Sequence, residues 1–193
     1  LAMARGMRDG GVLTIAKHYP GGSNPNKIDS HMTESISYDT KEELIEEHLY
    51  PYKKLLDEGL LGGIMTGHKR MVNIDNTRPT SLSKPVIDII REMGFDGVAI
   101  TDALCMMGIR ESYTDVEAKG FAIAAGNDLV LPFTQDNKVK FNKLVEAYEQ
   151  GLIPDDILDA AVKRVLATQH KTTLLKNDAE ISEEELNLFF SIN

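Results

Sequence analysis

The sequence lacks tryptophan and contains a single cysteine, Cys105, among its 193 residues. One cysteine excludes a disulfide framework, and it leaves the cellular compartment open, with the cytoplasm favoured over oxidising compartments. Long hydrophobic runs are also missing, since no apolar stretch approaches the roughly 20 residues that a membrane-spanning helix needs. We therefore expect neither disulfides nor a membrane partner.

Basic charge is scarce as well. The 21 lysine and arginine residues are outnumbered by 30 aspartate and glutamate residues, and they form no long basic run. The net charge of −9 argues against a nucleic-acid partner and favours a neutral or small polar ligand. With 42% hydrophobic and 26% charged residues, the chain can bury a core as one globular unit.

Short apolar runs indicate four strands, and helical patterns separate them. The runs are "VLTIAKHY" (12–19), "GGIMTGHK" (62–69), "GVAITDAL" (97–104) and "DLVLPF" (128–133). None alternates cleanly between apolar and polar residues, which is typical of parallel strands buried on both faces. The helical patterns cover 40–58, 83–94, 114–126, 136–150 and 154–170. Thr40 with Glu43, and Thr114 with Glu117, have the spacing of capping boxes, and Ser83 is expected to cap its helix.

The alternation of strands and helices predicts an α/β fold with a parallel sheet and right-handed crossovers. Candidate polar residues fall at or just beyond the C-terminal ends of the strands: Lys17, His18, His68 and Asp102. Both (β/α)₈ barrels and flavodoxin-like sheets carry their sites at this C-terminal edge. Four βα units make only half a barrel, so we expect the rest from elsewhere, with an incomplete core layer around the inward side chains of Ile15, Ile64, Ile100 and Val130.

A short D-x-H pattern lies on the Gly- and Pro-rich loop after the first strand. In an extended stretch, Asp29 and His31 point to the same side, within reach of a hydrogen bond. Such a carboxylate fixes the imidazole tautomer and makes the histidine a usable proton donor and acceptor near neutral pH. The simpler alternative is an Asx-turn beside an exposed histidine.

Asp102 follows the strand residues "GVAIT" and therefore holds a carboxylate at the C-terminal edge. Its simpler alternative is the N-cap of the following helical segment. A zinc shell built from the candidate histidines and aspartates is a further alternative, but no H-x₃-H or HExxH spacing supports it. From spacing alone these alternatives stay open.

Four segments together resemble glycoside hydrolase family 3, in its β-N-acetylglucosaminidase branch. They are "AKHYPGG…DSH", "GIMTGH", "RPTSLSKPVIDIIREMGFDGVAITDALCM" and "AIAAGNDLVLP", and they match the family's order from about residue 5 to 170. The resemblance implies a TIM-barrel domain of which this chain supplies strands five to eight. Residues 1–176 would form this C-terminal half-barrel, and 177–193 a tail with a short helix.

Carried over residue by residue, the resemblance implies that Asp102 is the catalytic nucleophile and that His31, paired with Asp29, is the general acid/base. Lys17 and His18 match the pair that hydrogen-bonds sugar hydroxyls, and His68 matches a further histidine of the same edge, taken as substrate-binding. The implied activity is a retaining, exo-acting β-N-acetylglucosaminidase on terminal β-linked N-acetylglucosamine. It needs no cofactor and no metal, and it pairs with the missing N-terminal half-barrel.

Two alternatives to this activity remain at the level of sequence: a phosphorylase that uses phosphate as acceptor, and a non-catalytic sugar-binding remnant of the fold. The sequence also departs from the family pattern, because "GGSNPN" replaces the usual GHG or GDG loop after the proline. Arg5 and Arg8 lie in the opening helix and do not match the family's sugar-binding arginine.

Overall fold

The structure is a computed structural model that describes residues 1–25, 27–29, 31–132 and 137–171. Its strands are β1 (Ile15–Tyr19), β2 (Ser35–Ser37), β3 (Gly63–Thr66), β4 (Lys69–Met71), β5 (Val98–Ala103) and β6 (Leu129–Leu131). Its helices are α1 (Ala2–Asp9), α2 (Lys41–Glu43), α3 (Tyr50–Asp57), α4 (Lys84–Glu92), α5 (Met107–Arg110), α6 (Asp115–Ala124), α7 (Asn137–Glu149) and α8 (Asp155–Lys171), with a π-helical segment at Leu44–His48 and a 3₁₀ turn at Thr80–Leu82. The short helix predicted in the tail lies outside the described residues.

The four predicted strands form one parallel sheet in the order β1-β3-β5-β6. This order follows the chain and excludes the flavodoxin-like alternative, in which the order reverses. The α/β prediction is thereby confirmed. Sequence patterns missed a second, two-stranded parallel sheet of β2 and β4, because three-residue strands are too short to show periodicity.

Local capping signals account for several helix ends. Thr40 and Glu43 bond reciprocally at the start of α2, and Thr114 and Glu117 do the same at α6, as the spacing predicts. Ser83 occupies the N-cap position of α4 as predicted, but its hydroxyl donates to the Asp75 carboxylate 2.6 Å away and makes no capping hydrogen bond.

One face of the sheet packs against helices and the other does not. Ile64 and Ala99 pair in register and are fully buried in a cluster with Val86 and Ile90 of α4. On the opposite face, by contrast, Ile15 is 43% exposed. The expected burial of both faces is therefore not found within the described residues.

Two of the four residues predicted to point into the barrel, Ile64 and Val130, point towards the helices instead. Ile15 and Ile100 lie on the uncovered face, whereas Ile64 and Val130 pack with the helix-side clusters. The register explains the error, because Ile64 pairs with Ala99 while Ile100 pairs with Met65. Successive side chains of a strand point to opposite faces, so an offset of one residue reverses the assignment.

A buried carboxylate joins the sheet to two helices. The Asp128 side chain is fully shielded from solvent; Oδ2 accepts the backbone N–H of Ala99 at 2.8 Å and the Arg91 guanidinium at 3.1 Å. Its Oδ1 accepts Arg164 Nε at 2.8 Å. One side chain thus connects the start of β5 with α4 and α8.

Replacing Asp128→Asn should destabilise the fold by about 3–5 kcal/mol, because two arginines would lose the charge that compensates their partial burial. Urea unfolding followed by circular dichroism measures the change. Asp57→Asn is the matched control: its carboxylate is 49% exposed and pairs with Lys53, so the cost should stay below about 1 kcal/mol. Equal effects of the two substitutions would contradict the assigned role.

Candidate functional site

The C-terminal edge of the sheet gathers three of the predicted site residues. His18 lies near the end of β1, His68 follows β3, and Asp102 is the penultimate residue of β5. Because β1, β3 and β5 are adjacent and parallel, their carboxyl ends meet at this edge.

Asp102 is held by the backbone and faces a histidine. Its Oδ1 accepts the N–H of Ala103 at 2.8 Å, and its Oδ2 lies 3.4 Å from His18 Nε2. The side chain is 18% exposed, so solutes can reach it. Asp102 does not cap the next helix, because Met106 occupies the N-cap position of α5.

His68 is almost fully buried, with 1% exposure, and both ring nitrogens have protein partners. Nε2 is 3.0 Å from the Ala103 carbonyl oxygen, which only accepts, so Nε2 carries the proton. Nδ1 then accepts from the Ser81 hydroxyl at 2.8 Å. Burial lowers the pKa of His68 below its usual value of 6.5, although the nearby Asp102 carboxylate opposes this. The imidazole is therefore neutral and fixed beside the end of β5.

A buried amide supports this arrangement. Asn127 donates from its amide nitrogen to the carbonyl oxygens of Ser81 and Ala122, at 2.8 and 2.7 Å. Its amide oxygen accepts from the Thr66 hydroxyl at 2.7 Å. Sequence reasoning did not select Asn127 as a site residue; the signal that could have found it is the polar Asn-Asp pair opening an otherwise apolar strand segment.

Asp29 and His31 form both of the arrangements that their spacing allows. Asp29 Oδ1 accepts the backbone N–H of His31 at 2.9 Å, which closes an Asx-turn, and contacts the imidazole Nδ1 at 2.7 Å. These two bonds lower the pKa of Asp29 below its usual value. A carboxylate at Nδ1 fixes the proton there and leaves Nε2 on a ring that is 71% exposed.

The dyad lies on the loop between β1 and β2, and this loop leaves the sheet at the carboxyl end of β1, the same edge that holds Asp102. Lys17 is exposed on β1, in register with Met65. Within the part of the chain that the structure describes, its ammonium has no ion pair and remains accessible to a ligand.

No three histidine, cysteine, aspartate or glutamate side chains are arranged to hold a metal ion in residues 1–25, 27–29, 31–132 and 137–171. The zinc alternative therefore has no ligand set there. Among the described helices, none is long and apolar enough to cross a bilayer.

Comparison with known proteins gives concordant matches. The model of the glycosyl hydrolase family 3 N-terminal domain matches residues 1–168. The beta-hexosaminidase LpqI of Mycobacterium tuberculosis is 30% identical over 172 residues, which cover 85% of this chain and 44% of that protein. A beta-hexosaminidase of Chromobacterium violaceum is 35% identical over 136 residues, covering 69% of this chain and 37% of the relative.

Solved structures agree. A glycoside hydrolase family 3 beta-N-acetylglucosaminidase from Paenibacillus sp. superposes with a TM-score of 0.78 at 30% identity, covering 96% of this chain and 37% of that one. The beta-glucoside phosphorylase BglX has a TM-score of 0.82 at 30% identity, covering 94% and 34%. The chain thus spans less than half the length of these relatives. The resemblance seen in the sequence motifs is confirmed, and the chain belongs to glycoside hydrolase family 3.

Proposed function

We propose that this chain forms the C-terminal half of the catalytic barrel of a retaining, exo-acting β-N-acetylglucosaminidase. The observation that carries the proposal is the Asp29–His31 hydrogen bond of 2.7 Å, which leaves a protonatable Nε2 exposed at the edge that also holds Asp102. The hexosaminidases among its relatives support the substrate class.

In the proposed mechanism, Asp102 attacks the anomeric carbon while His31 Nε2 donates its proton to the departing glycosidic oxygen. The carboxylate forms an ester with the sugar, and the aglycone leaves as a neutral alcohol. Neutral His31 then takes a proton from water, which attacks the anomeric carbon and releases Asp102. Asp29 keeps the proton on Nδ1 throughout, while Lys17 and His18 bind sugar hydroxyls.

His68 has a supporting role in this proposal. Both of its ring nitrogens bond protein groups, and the Ala103 carbonyl that it contacts belongs to the residue whose N–H holds Asp102. We therefore assign His68 to fixing the backbone beside the nucleophile, which differs from the sugar contact implied by the family match.

The uncovered sheet face supports the half-barrel. Within the described residues, β1 and β6 each pair with another strand on one side only. Leu129 of β6, on the same face as Ile100, is 40% exposed. Unpaired strand edges and an apolar sheet face favour association with further strands. We propose that a further four-stranded half completes the barrel and supplies the remaining sugar contacts.

Phosphate as the acceptor is the second candidate, favoured by the similarity to a beta-glucoside phosphorylase. A neutral histidine in place of a second carboxylate removes an anion from the leaving-group side, which would otherwise repel phosphate. Turnover of 4-nitrophenyl β-N-acetylglucosaminide, with and without phosphate, decides between them: release of the sugar 1-phosphate identifies a phosphorylase, and free sugar alone a hydrolase. No turnover by the natural polypeptide that contains this chain would favour the non-catalytic remnant.

Replacing Asp102→Ala should lower kcat by about 10³-fold or more while leaving the fold intact, because the nucleophile is removed from an accessible edge position. Added azide should fill the space, attack the anomeric carbon directly and yield the α-glycosyl azide, detected by NMR. The control is Asp96→Ala, because Asp96 is an exposed carboxylate that lies just before the N-terminal end of β5. Normal turnover by a folded Asp102→Ala variant contradicts the assignment.

Replacing His31→Ala should reduce turnover by about 10²–10⁴-fold for poor leaving groups, because these need a proton. Because 2,4-dinitrophenolate leaves as a stable anion, turnover of substrates that carry this group should be much less affected. Comparing kcat/KM across aryl N-acetylglucosaminides measures the difference, with His170→Ala as the control for an exposed histidine. A loss of equal size for all leaving groups would show that His31 is not the acid.

The buried His68 should make the fold sensitive to acid. Its pKa is lowered in the folded state, so its stabilising contribution is complete above pH 6.5 and is lost as the pH falls through the folded pKa. The free energy of unfolding should fall by up to about 1.4 kcal/mol per pH unit in that window. Urea unfolding from pH 7.5 to 5 measures this; His68→Gln should flatten the slope and His170→Gln should not. An unchanged slope in His68→Gln refutes the prediction.

A further inference from the structure

The loop that carries Asp29 and His31 is held at both ends by neighbouring residues of β4. At its start, the Lys69 ammonium donates to the carbonyl oxygens of Gly21, Gly22 and Ser23, at 3.0, 2.9 and 3.0 Å. An ammonium group has three N–H donors, and here three carbonyls accept them all. Lys69 therefore fixes three consecutive peptide groups.

At the other end of the loop, Arg70 Nη2 donates to Glu34 Oε2 at 2.5 Å. The side chains of Arg70 and Glu34 are only 27% and 30% exposed. The next residue, Ser35, begins β2, which pairs in parallel with β4 through Ser35 and Lys69. Both ends of the segment from 21 to 35 are thus attached to a single three-residue strand.

β4 is itself attached to the body of the protein. The carbonyl of Lys69 accepts from the buried Thr80 hydroxyl at 2.8 Å. The preceding residue, His68, bonds Ser81 and the carbonyl of Ala103 beside Asp102. Three consecutive residues, His68, Lys69 and Arg70, therefore connect the backbone beside Asp102 with both ends of the loop that carries His31.

A second anchor acts on the same loop start. The Asp39 carboxylate accepts the backbone N–H and the hydroxyl of Ser23, at 2.6 and 2.7 Å, and the hydroxyl of Ser37 at 2.7 Å. His48 lies 3.5 Å from it. Burial lowers the pKa of Lys69, and the charge of Asp39 opposes that shift, so the two anchors attract each other across Ser23.

From this geometry we propose that Lys69 and Arg70 are positioning residues that set the place of the acid/base His31 relative to Asp102. The inference rests on the proposed function. Neither residue touches the reacting atoms, and their effect passes through the loop. A glycosidase needs its proton donor within hydrogen-bond reach of the leaving oxygen, and a displacement of about 1 Å can cost about 10²-fold in rate.

The test replaces Lys69→Met and Arg70→Met, which keep much of the length of each side chain but remove its donors. Lys84→Met is the matched control, because its ammonium pairs with Asp88 on α4 and is 54% exposed. In the natural polypeptide, Lys69→Met and Arg70→Met should each lower kcat/KM for 4-methoxyphenyl N-acetylglucosaminide by about 10–10²-fold. For the 2,4-dinitrophenyl substrate the change should stay below about threefold, because that group leaves without a proton.

The double variant Lys69→Met with His31→Ala separates positioning from general destabilisation. If Lys69 acts through His31, its loss should add little once the imidazole is gone, so the two effects are strongly non-additive. A fall of equal size for both leaving groups, or full additivity with His31→Ala, would overturn the proposal. Should His31→Ala alone show no dependence on the leaving group, the proposed function fails instead.

An independent measurement on the same natural polypeptide requires no turnover. The N–H of Gly21 bonds the His18 carbonyl at 2.9 Å, and the N–H of Ser23 bonds Asp39. Lys69→Met should speed the hydrogen exchange of these two amides by about tenfold or more, while Ala99 in β5 keeps its protection. Unchanged protection of Gly21 and Ser23 would show that Lys69 does not hold the loop and would refute the inference whatever the kinetics.

Discussion

The Asn127–Asp128 pair, directly before β6, is the constraint on which the rest of the structure depends. Asp128 faces the helices and the start of β5, where it accepts bonds from Ala99, Arg91 and Arg164. Asn127 bonds the 3₁₀ turn and the end of β3. Because burying a charge or an amide is tolerated only when its bonding capacity is satisfied, each side chain determines the positions of the elements that satisfy it. Two adjacent residues thus position both the helices behind the sheet and its C-terminal edge.

The chain of contacts continues from Asn127 to the proposed site. Ser81, whose carbonyl Asn127 binds, donates its hydroxyl to His68, and His68 holds the carbonyl of Ala103 next to Asp102. The Asn127–Ser81 and Ser81–His68 hydrogen bonds are buried, and the His68–Ala103 hydrogen bond is partly buried. Asp102, the proposed nucleophile, is positioned in this way and would lose little orientation on binding a sugar, which is the arrangement that catalysis by proximity requires.

The Asp29–His31 dyad differs from the proposed nucleophile, Asp102, in its surroundings. Asp102 is partly buried at a strand end, whereas Asp29 and His31 are mostly exposed on a loop. A proton donor must reach the leaving group and then meet water or another acceptor, so access is part of its role in the proposed mechanism. In our proposal, Lys69 and Arg70 restrict the position of the loop ends, as partial burial restricts the position of Asp102.

By itself, the sequence determined much about this protein. The four strands, both capping boxes, the α/β class and the family all followed from periodicity, cap spacing and motifs, because these depend on neighbours within a few residues. The C-terminal edge as the location of His18, His68 and Asp102 followed too, since parallel strands bring their carboxyl ends together, whereas Lys17 lies in the middle of β1.

Tertiary structure alone decided the rest. Which face Ile64 and Val130 occupy depends on strand register, and pairing one residue along reverses the face. Several hydrogen bonds join residues that are distant in sequence. They are the bonds of both ring nitrogens of His68, of the side chains of Asn127 and Asp128, and of the Lys69 ammonium with Gly21, Gly22 and Ser23. A residue's own neighbours do not reveal these long-range partners. The hydrogen bonds that position Asp102 and His31 became visible only once the chain had folded.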